Sequence, residues 1–138
     1  MAVVVFDADV LIAYLGRDDA NHEKAVERMR DALAPETRRL VSAVNYSEVL
    51  IGPLQRAGVK GAEIVEAMFV RFSIETVPVD MTLARRAAAV RARTRLKLPD
   101  AFALATAIDA EKRDADVRLE SFDEKVVKAY ASLHPDFA

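Results

Sequence analysis

The chain has 138 residues, of which 52% are hydrophobic and 30% charged, a balance typical of one folded domain spanning residues 1–138. Cysteine is absent, which excludes a disulfide scaffold, a thiol nucleophile and every thiolate metal site. The net charge of −2 provides no overall positive field for nucleic acid, so a polyanion would have to be bound by a local basic patch or a metal ion.

The start of the chain does not have the pattern of an export signal. The apolar run from Met1 to Phe6 is interrupted at once by Asp7 and Asp9. Elsewhere, no uncharged apolar run approaches the ~18 residues that a membrane-spanning helix needs. We therefore expect a soluble, cytoplasmic protein without membrane contact.

Short apolar runs alternate with helical patterns along the chain. The apolar runs predict strands at 2–6, 39–44, 74–79 and 117–121. The helical patterns predict helices at 8–15, 20–33, through 48–50, and at 62–72, 81–96, 98–112 and 123–133. This alternation predicts a three-layer α/β/α fold with a central parallel sheet of roughly four to five strands.

Two helical segments carry further expectations. Gly52-Pro53 should disturb or end the third helix, because proline lacks an amide N–H and its ring collides with the preceding turn. The fourth helix has an apolar stripe that is expected to face the core. If the stripe is too wide for one face of the sheet to cover, its uncovered part is expected to contact a partner protein. The stripe consists of Ile64, Val65, Met68, Phe69 and Phe72.

Four of the 22 acidic residues lie at junctions between predicted elements. Asp7 directly follows the first strand, and Glu48 lies one helical turn after the second. Asp100 opens a helix, and Asp123 follows the fourth strand just after Ser121. Sites in α/β proteins lie outside the carboxyl ends of the strands, so these four side chains are candidates to converge.

Clustered carboxylates repel one another unless a cation compensates their charge. Oxygen ligands without thiolate favour Mg²⁺ or Mn²⁺ over Zn²⁺. Such ions stabilise the attacking and leaving oxygens when a phosphodiester is cleaved. The residues alone therefore predict a metal-dependent phosphodiesterase.

Four segments resemble the PIN-domain nucleases, and among them the VapC-type toxins of bacterial toxin–antitoxin pairs. They are Val4–Tyr14, Tyr46–Leu50, Leu98–Ala107 and Ser121–Asp123, in family order and at family spacing. The resemblance implies an α/β/α fold, a Mg²⁺- or Mn²⁺-dependent endoribonuclease acting on RNA, a VapB-like antitoxin partner and a homodimer. It further implies the site residues: metal-binding, catalytic acids at Asp7, Glu48, Asp100 and Asp123, with the hydroxyl of Ser121 near the last.

Asp9 departs from the family pattern, which often has Ser, Thr or Asn two residues after the first acid. It is either a solvent-facing residue or an accessory ligand. The run Phe6–Val10 also resembles the start of haloacid-dehalogenase-type phosphatases, in which Asp7 would be the nucleophile and Asp9 its acid/base partner. A non-catalytic, receiver-like Mg²⁺-binding module and a PIN fold used only for binding are two further hypotheses.

Residues 85–97 contain six basic residues and no acidic one. At ~100° per residue, Arg86, Arg93 and Lys97 fall on one face of the predicted helix. This basic stripe leads into Asp100, so it is a candidate contact for the RNA backbone. The alternative is a solvated helix face.

Overall fold

The computed structural model describes residues 1–133. The last five residues of the predicted domain, 134–138, lie outside the described part. The strands are β1 (Ala2–Phe6), β2 (Thr37–Ser42), β3 (Ile74–Val77) and β4 (Asp116–Glu120). The helices are α1 (Ala8–Leu15), α2 (His22–Ala32), α3 (Ala43–Ala57), α4 (Val59–Arg71), α5 (Met81–Thr94), α6 (Leu98–Glu111) and α7 (Glu124–Leu133). None of the helices in this described part is both long and apolar enough to span a membrane.

The four strands form a parallel sheet in the order β3-β2-β1-β4. The chain runs outward from β1 through β2 to β3 and then returns past β1 to β4, so the strand order reverses between β1 and β4. The amide of Asp7 donates to the carbonyl of Glu120 at 2.9 Å, which extends this pairing to the carboxyl ends of both strands. In α/β proteins such a reversal creates a crevice for ligands.

Successive β1 side chains enter two different cores, as a sheet covered on both faces requires. Val4 and Phe6 pack in the core that also contains buried residues of α1 to α4, whereas Val3 and Val5 pack with residues of α6. The helix α6 is buried over most of its length, because its alanines allow close approach to its neighbours. The predicted three-layer α/β/α architecture with a parallel sheet is confirmed.

The boundary between β2 and α3 lies two residues earlier than predicted. The hydroxyl of Ser42 accepts a hydrogen bond from the amide of Asn45 at 3.1 Å and so caps α3. Ala43 and Val44 therefore belong to the helix rather than to the strand. This cap brings Glu48 onto the second turn of α3, close behind the carboxyl end of β2.

The prediction that Gly52-Pro53 ends the third helix is wrong, because α3 continues through Pro53 to Ala57. The neighbouring helix α4 packs directly on this turn. A Cβ atom placed on Gly61 of α4 would lie only 2.0 Å from the carbonyl oxygen of Pro53. Tertiary packing of the two helices thus outweighs the local preference of proline.

The expected inward position of Ile64 is also wrong. Val65, Met68, Phe69 and Phe72 are buried, but the side chain of Ile64 is 58% exposed. At ~100° per residue, Ile64 lies at the edge of the stripe rather than at its centre. It lines a groove of about 460 Å³ between α1, α2 and α4, which we call the apolar groove and which also includes Tyr14, Leu15, Met68 and Phe72.

Candidate active site

Asp7 directly follows β1, at the point where β1 and β4 end side by side. Its Oδ1 accepts a hydrogen bond from the amide of Ala8 at 2.9 Å and caps α1. The residue is only 3% exposed. Burial, and next the negative charge of Asp9, raise the pKa of the Asp7 carboxyl to about 7. This carboxyl therefore holds its proton to a much higher pH than an exposed aspartate does when no cation compensates it.

Ser121 connects Asp7 to Asp9. Its hydroxyl donates to Asp7 Oδ2 at 2.8 Å and lies 3.4 Å from Asp9 Oδ2, which also accepts the amide of Phe122 at 2.9 Å. The other oxygen of this carboxylate, Asp9 Oδ1, is buried and has no hydrogen-bond partner among residues 1–133. Burial raises the pKa of Asp9, and the charge of Asp100 adds to that rise. Asp9 therefore points into the site and is not the solvent-facing residue that the sequence also allowed.

Asp100 and Asp123 complete the group of acids. Asp100 lies in the first turn of α6, and burial followed by the charge of Asp123 raises its pKa, against the opposing effect of Lys97. Asp123 is oriented by its loop, because its amide donates to Ser121 Oγ at 3.1 Å and its Oδ1 accepts the amide of Lys125 at 2.9 Å. Electrostatic interactions thus link four carboxylates, which we call the acid cluster: Asp7, Asp9, Asp100 and Asp123.

Glu48 is connected to the acid cluster through a residue that the sequence analysis missed. The side-chain amide of Asn45 donates to Glu48 Oε1 at 2.9 Å and to the carbonyl of Pro99 at 3.0 Å. It therefore ties α3 to the N-terminal turn that carries Asp100. Glu48 itself lines a separate cavity of about 350 Å³ together with Ile12 and Arg56. The signal present in the sequence was an asparagine one turn before Glu48 in an otherwise apolar segment.

The acid cluster has the composition of a site for a hard divalent cation. Within residues 1–133, no group of three acidic or histidine side chains is already arranged to hold a metal ion. The donors are nevertheless carboxylate oxygens, and the buried Asp9 Oδ1 has no partner in the described part of the chain. Three of the four acids have raised pKa values, which is the electrostatic state that a cation would relieve. The chemistry of these donors thus suits Mg²⁺ or Mn²⁺.

The predicted basic stripe is divided by the fold. Its helical spacing does not extend to Lys97, because α5 ends at Thr94 and Arg95 adopts a left-handed conformation with φ of 62°. Lys97 lines a groove of about 690 Å³ that also contains Asp100 and Asp123. We call it the first groove, and it further includes two basic residues outside the predicted set, Arg95 and Lys125.

The other two members of the stripe lie on α5. Arg93 is exposed there. The side chain of Arg86 is only 11% exposed, and its Nε lies 4.0 Å from Asp109 Oδ1 on α6. Arg86 is therefore held between two helices and is not presented to a ligand at the acid cluster.

The fold and the acid cluster together define an α/β protein with a carboxylate site at its topological switch point. The chain belongs to the PIN domain family, whose model matches residues 4–133. This membership argues against the phosphatase and receiver hypotheses, which concern different families. Among curated protein sequences, none is significantly similar to this chain.

Solved structures share the fold at low sequence identity. VapC20 of Mycobacterium tuberculosis, described as a Sarcin-Ricin loop cleaving toxin, is 19% identical with a TM-score of 0.71, over 93% of this chain and 95% of that one. VapBC-1 of nontypeable Haemophilus influenzae is 12% identical with a TM-score of 0.70, over 94% and 93%. A toxin–antitoxin complex from Klebsiella pneumoniae is 22% identical with a TM-score of 0.62, over 89% and 87%.

Proposed function

We propose that this chain is a metal-dependent endoribonuclease that cleaves RNA phosphodiester bonds. The observation that carries the proposal is the acid cluster. The hydroxyl of Ser121 joins Asp7 to Asp9, and Asp100 and Asp123 line one groove. Burial and the charges of neighbouring acids raise the pKa values of Asp7, Asp9 and Asp100. Membership of the PIN domain family and the RNA-cleaving activity named for the M. tuberculosis toxin support RNA as the substrate. We place this activity in the cytoplasm, where RNA is accessible.

In this proposal Asp7, Asp9, Asp100 and Asp123 hold Mg²⁺ or Mn²⁺, and Glu48 acts from the neighbouring helix. An ion held by these acids would supply the chemistry of cleavage, by lowering the pKa of an attacking water and compensating the charge of the scissile phosphate. The chain's own contribution is orientation: Ser121 fixes the carboxylates of Asp7 and Asp9, and Asn45 fixes Glu48. Lys97, Arg95 and Lys125 line the first groove, where they would contact the RNA backbone.

Cleavage of total RNA by the purified chain tests the proposal. We expect cutting with Mg²⁺ or Mn²⁺, none with chelator, and none by the Asp7→Asn variant. Asp116→Asn is the matched control, because Asp116 is an exposed acid at the opposite end of β4 and should retain full activity. If wild-type protein with either metal leaves total RNA, tRNA and rRNA intact, the fold serves binding only and the nuclease proposal fails.

We further propose that a VapB-like antitoxin neutralises the enzyme and that the chain forms a homodimer. The apolar groove supports a protein partner, because Ile64 is 58% exposed there. Two of the structural neighbours are described as toxin–antitoxin assemblies. An antitoxin arginine would fit the acid cluster, because a guanidinium matches carboxylates in charge and geometry.

Co-purification with the candidate antitoxin tests the partner, and light scattering on the free chain tests the dimer. We expect the complex to protect the acid cluster from metal binding. A partner that binds far from Asp7 and leaves cleavage intact contradicts this proposal, and a monomer at all concentrations contradicts the dimer.

A further inference from the structure

A second groove, of about 550 Å³, lies between α2 and α7 and adjoins the acid cluster. Ser121 and Phe122 form part of its wall. The hydroxyl of Ser121 bonds to Asp7, and the amide of Phe122 bonds to Asp9, so the backbone that lines this groove also shapes the acid cluster. Lys128 of α7 lines the second groove, whereas Lys125 lines the first, so the two grooves border different faces of α7.

The second groove has the charge of a phosphate-binding surface. Lys24, Arg28 and Lys128 line it, against a single acidic residue, Glu124. Arg28 also pairs with Glu120 at 3.0 Å, which leaves the two lysines as the main carriers of positive charge. The groove therefore has a local excess of positive charge, although the chain as a whole has a net charge of −2.

An aromatic ring lies at the end of this groove nearest the acids. Phe122 is half-buried, and the guanidinium of Arg28 lies 5.4 Å from the centre of its ring. Proteins that bind single-stranded nucleic acid combine basic side chains along the backbone with aromatic or guanidinium planes on which bases stack. The second groove contains both elements, next to the proposed reaction centre.

We propose that the second groove binds the RNA strand on one side of the scissile phosphate. Lys24 and Lys128 bind backbone phosphates, and Phe122 with Arg28 forms the surface on which a base stacks. The first groove then holds the strand on the other side of the cut. This inference rests on the proposed ribonuclease function and assigns positioning residues that do not touch the reacting phosphate.

Binding of a fluorescein-labelled, mixed-sequence single-stranded RNA tests the two lysines. Anisotropy is measured in chelator, so that the RNA stays intact, across a series of salt concentrations. Log affinity falls as log salt concentration rises, and each lost phosphate contact makes that slope shallower by about 0.7. The double variant Lys24→Gln with Lys128→Gln should therefore have a slope shallower by about 1.4. Lys112→Gln is the matched control, because Lys112 is an exposed lysine at the far end of α6 and should leave the slope unchanged.

Phe122 is tested by Phe122→Leu, which keeps an apolar side chain against the core but removes the ring. Loss of one stacked base costs ~1–3 kcal/mol, which corresponds to binding weaker by about 5- to 150-fold. Phe122→Tyr retains the ring and should bind as the wild type does. Thermal melting of each variant shows whether a loss of binding merely reflects a loss of folded protein.

The outcomes separate this inference from the proposed function. If neither the lysine pair nor Phe122→Leu alters RNA binding while the wild type still cleaves with metal, the groove assignment is overturned and the nuclease proposal stands. If both alter binding although no RNA is cut under any condition, the groove assignment stands and the nuclease proposal fails. Absence of any RNA binding by the wild type overturns the groove assignment.

Discussion

The burial of Asp7 opposes folding at the pH where the site would work. The unfolded carboxyl has a pKa of 3.8, whereas burial and the charge of Asp9 raise the folded pKa to about 7. A raised folded pKa contributes stability that is present below pH 4 and is lost as the pH rises through 7. The cost of an ionised Asp7 above that pH is on the order of a few kcal/mol. An ionised Asp7 thus lowers the free energy of unfolding of the metal-free protein.

The variant Asp7→Asn should therefore be more stable than the wild type at pH 8 in the absence of metal, and it should be inactive. Asparagine keeps an acceptor for the amide of Ala8 but has no charge to desolvate. Melting temperatures measured from pH 5 to pH 8 should fall for the wild type and fall less for the variant. Asp116→Asn, at an exposed position, should reproduce the wild-type profile. A wild-type melting temperature that rises over this pH range would contradict the assigned shift.

The neutral side chain of Asn45 is predicted to contribute both to the stability of the fold and to cleavage. It is fully buried and bonds to Ser42, Glu48 and Pro99. Asn45→Ala leaves these groups without their partner, at a cost of ~1–3 kcal/mol. We expect a lower unfolding midpoint in urea, and cleavage reduced even at temperatures where the variant is fully folded. Ser47→Ala, two residues further on and exposed, should change neither quantity; if Asn45→Ala cleaves as the wild type does, it has no positioning role.

The contact between α3 and α4 depends on the absence of a side chain at Gly61. A methyl group there would lie 2.0 Å from the Pro53 carbonyl, which belongs to rigid helical backbone. Gly61→Ala should therefore destabilise the protein by ~1–3 kcal/mol through overpacking, in spite of alanine's higher helix propensity. Gly52→Ala is the control in the neighbouring helix, because its methyl would meet only the flexible end of Arg56. Urea unfolding should show a loss for the first variant and a neutral or positive change for the second.

The same helices show what the sequence could predict and what it could not. Alternating apolar and helical patterns predicted every described strand and helix, because burial on both sheet faces imposes that alternation. The continuation of α3 through Pro53 and the exposure of Ile64 depend on where α4 packs, which no local pattern contains. Arg86 was placed with Lys97 by helical spacing, and the left-handed Arg95 breaks that spacing.

The acids illustrate the same limit at the site. Their positions at element junctions predicted that Asp7, Glu48, Asp100 and Asp123 would meet near the switch point. The structure links three of them with Asp9. Glu48 instead lines a separate cavity and is joined to α6 only through Asn45. The role of Asp9 depended on its hydrogen bond to the Phe122 amide, 113 residues away in the chain. Asn45 and the second groove likewise arise from contacts between distant segments, which a single sequence does not reveal.

A cation held by the acid cluster would join distant parts of the whole molecule. Its predicted ligands lie after β1, in α1, in α6 and in the loop before α7, so binding should stabilise the fold and not only the site. Mg²⁺ or Mn²⁺ should also displace the proton from Asp7, so metal affinity should increase as the pH rises from 6 to 8.

Calorimetric titration in buffers of different ionisation enthalpy measures that proton release directly. Thermal melting with and without metal measures the stabilisation, which should be absent in Asp7→Asn and retained in Asp116→Asn. Metal binding that is independent of pH and leaves the melting temperature unchanged would place the ion elsewhere.

The strand order has a consequence for when the acid cluster can form during synthesis of the chain. Asp7 is synthesised well before its partner Ser121, which lies 114 residues further along the chain, and the neighbouring pairing of β1 with β4 closes only when β4 exists. A nascent or prematurely terminated chain that stops before β4 therefore carries most of the acids without the crevice that assembles them. Products that stop before β4 should therefore lack the proposed ribonuclease activity and leave intact the RNA around them, including the message and the ribosome that are producing them.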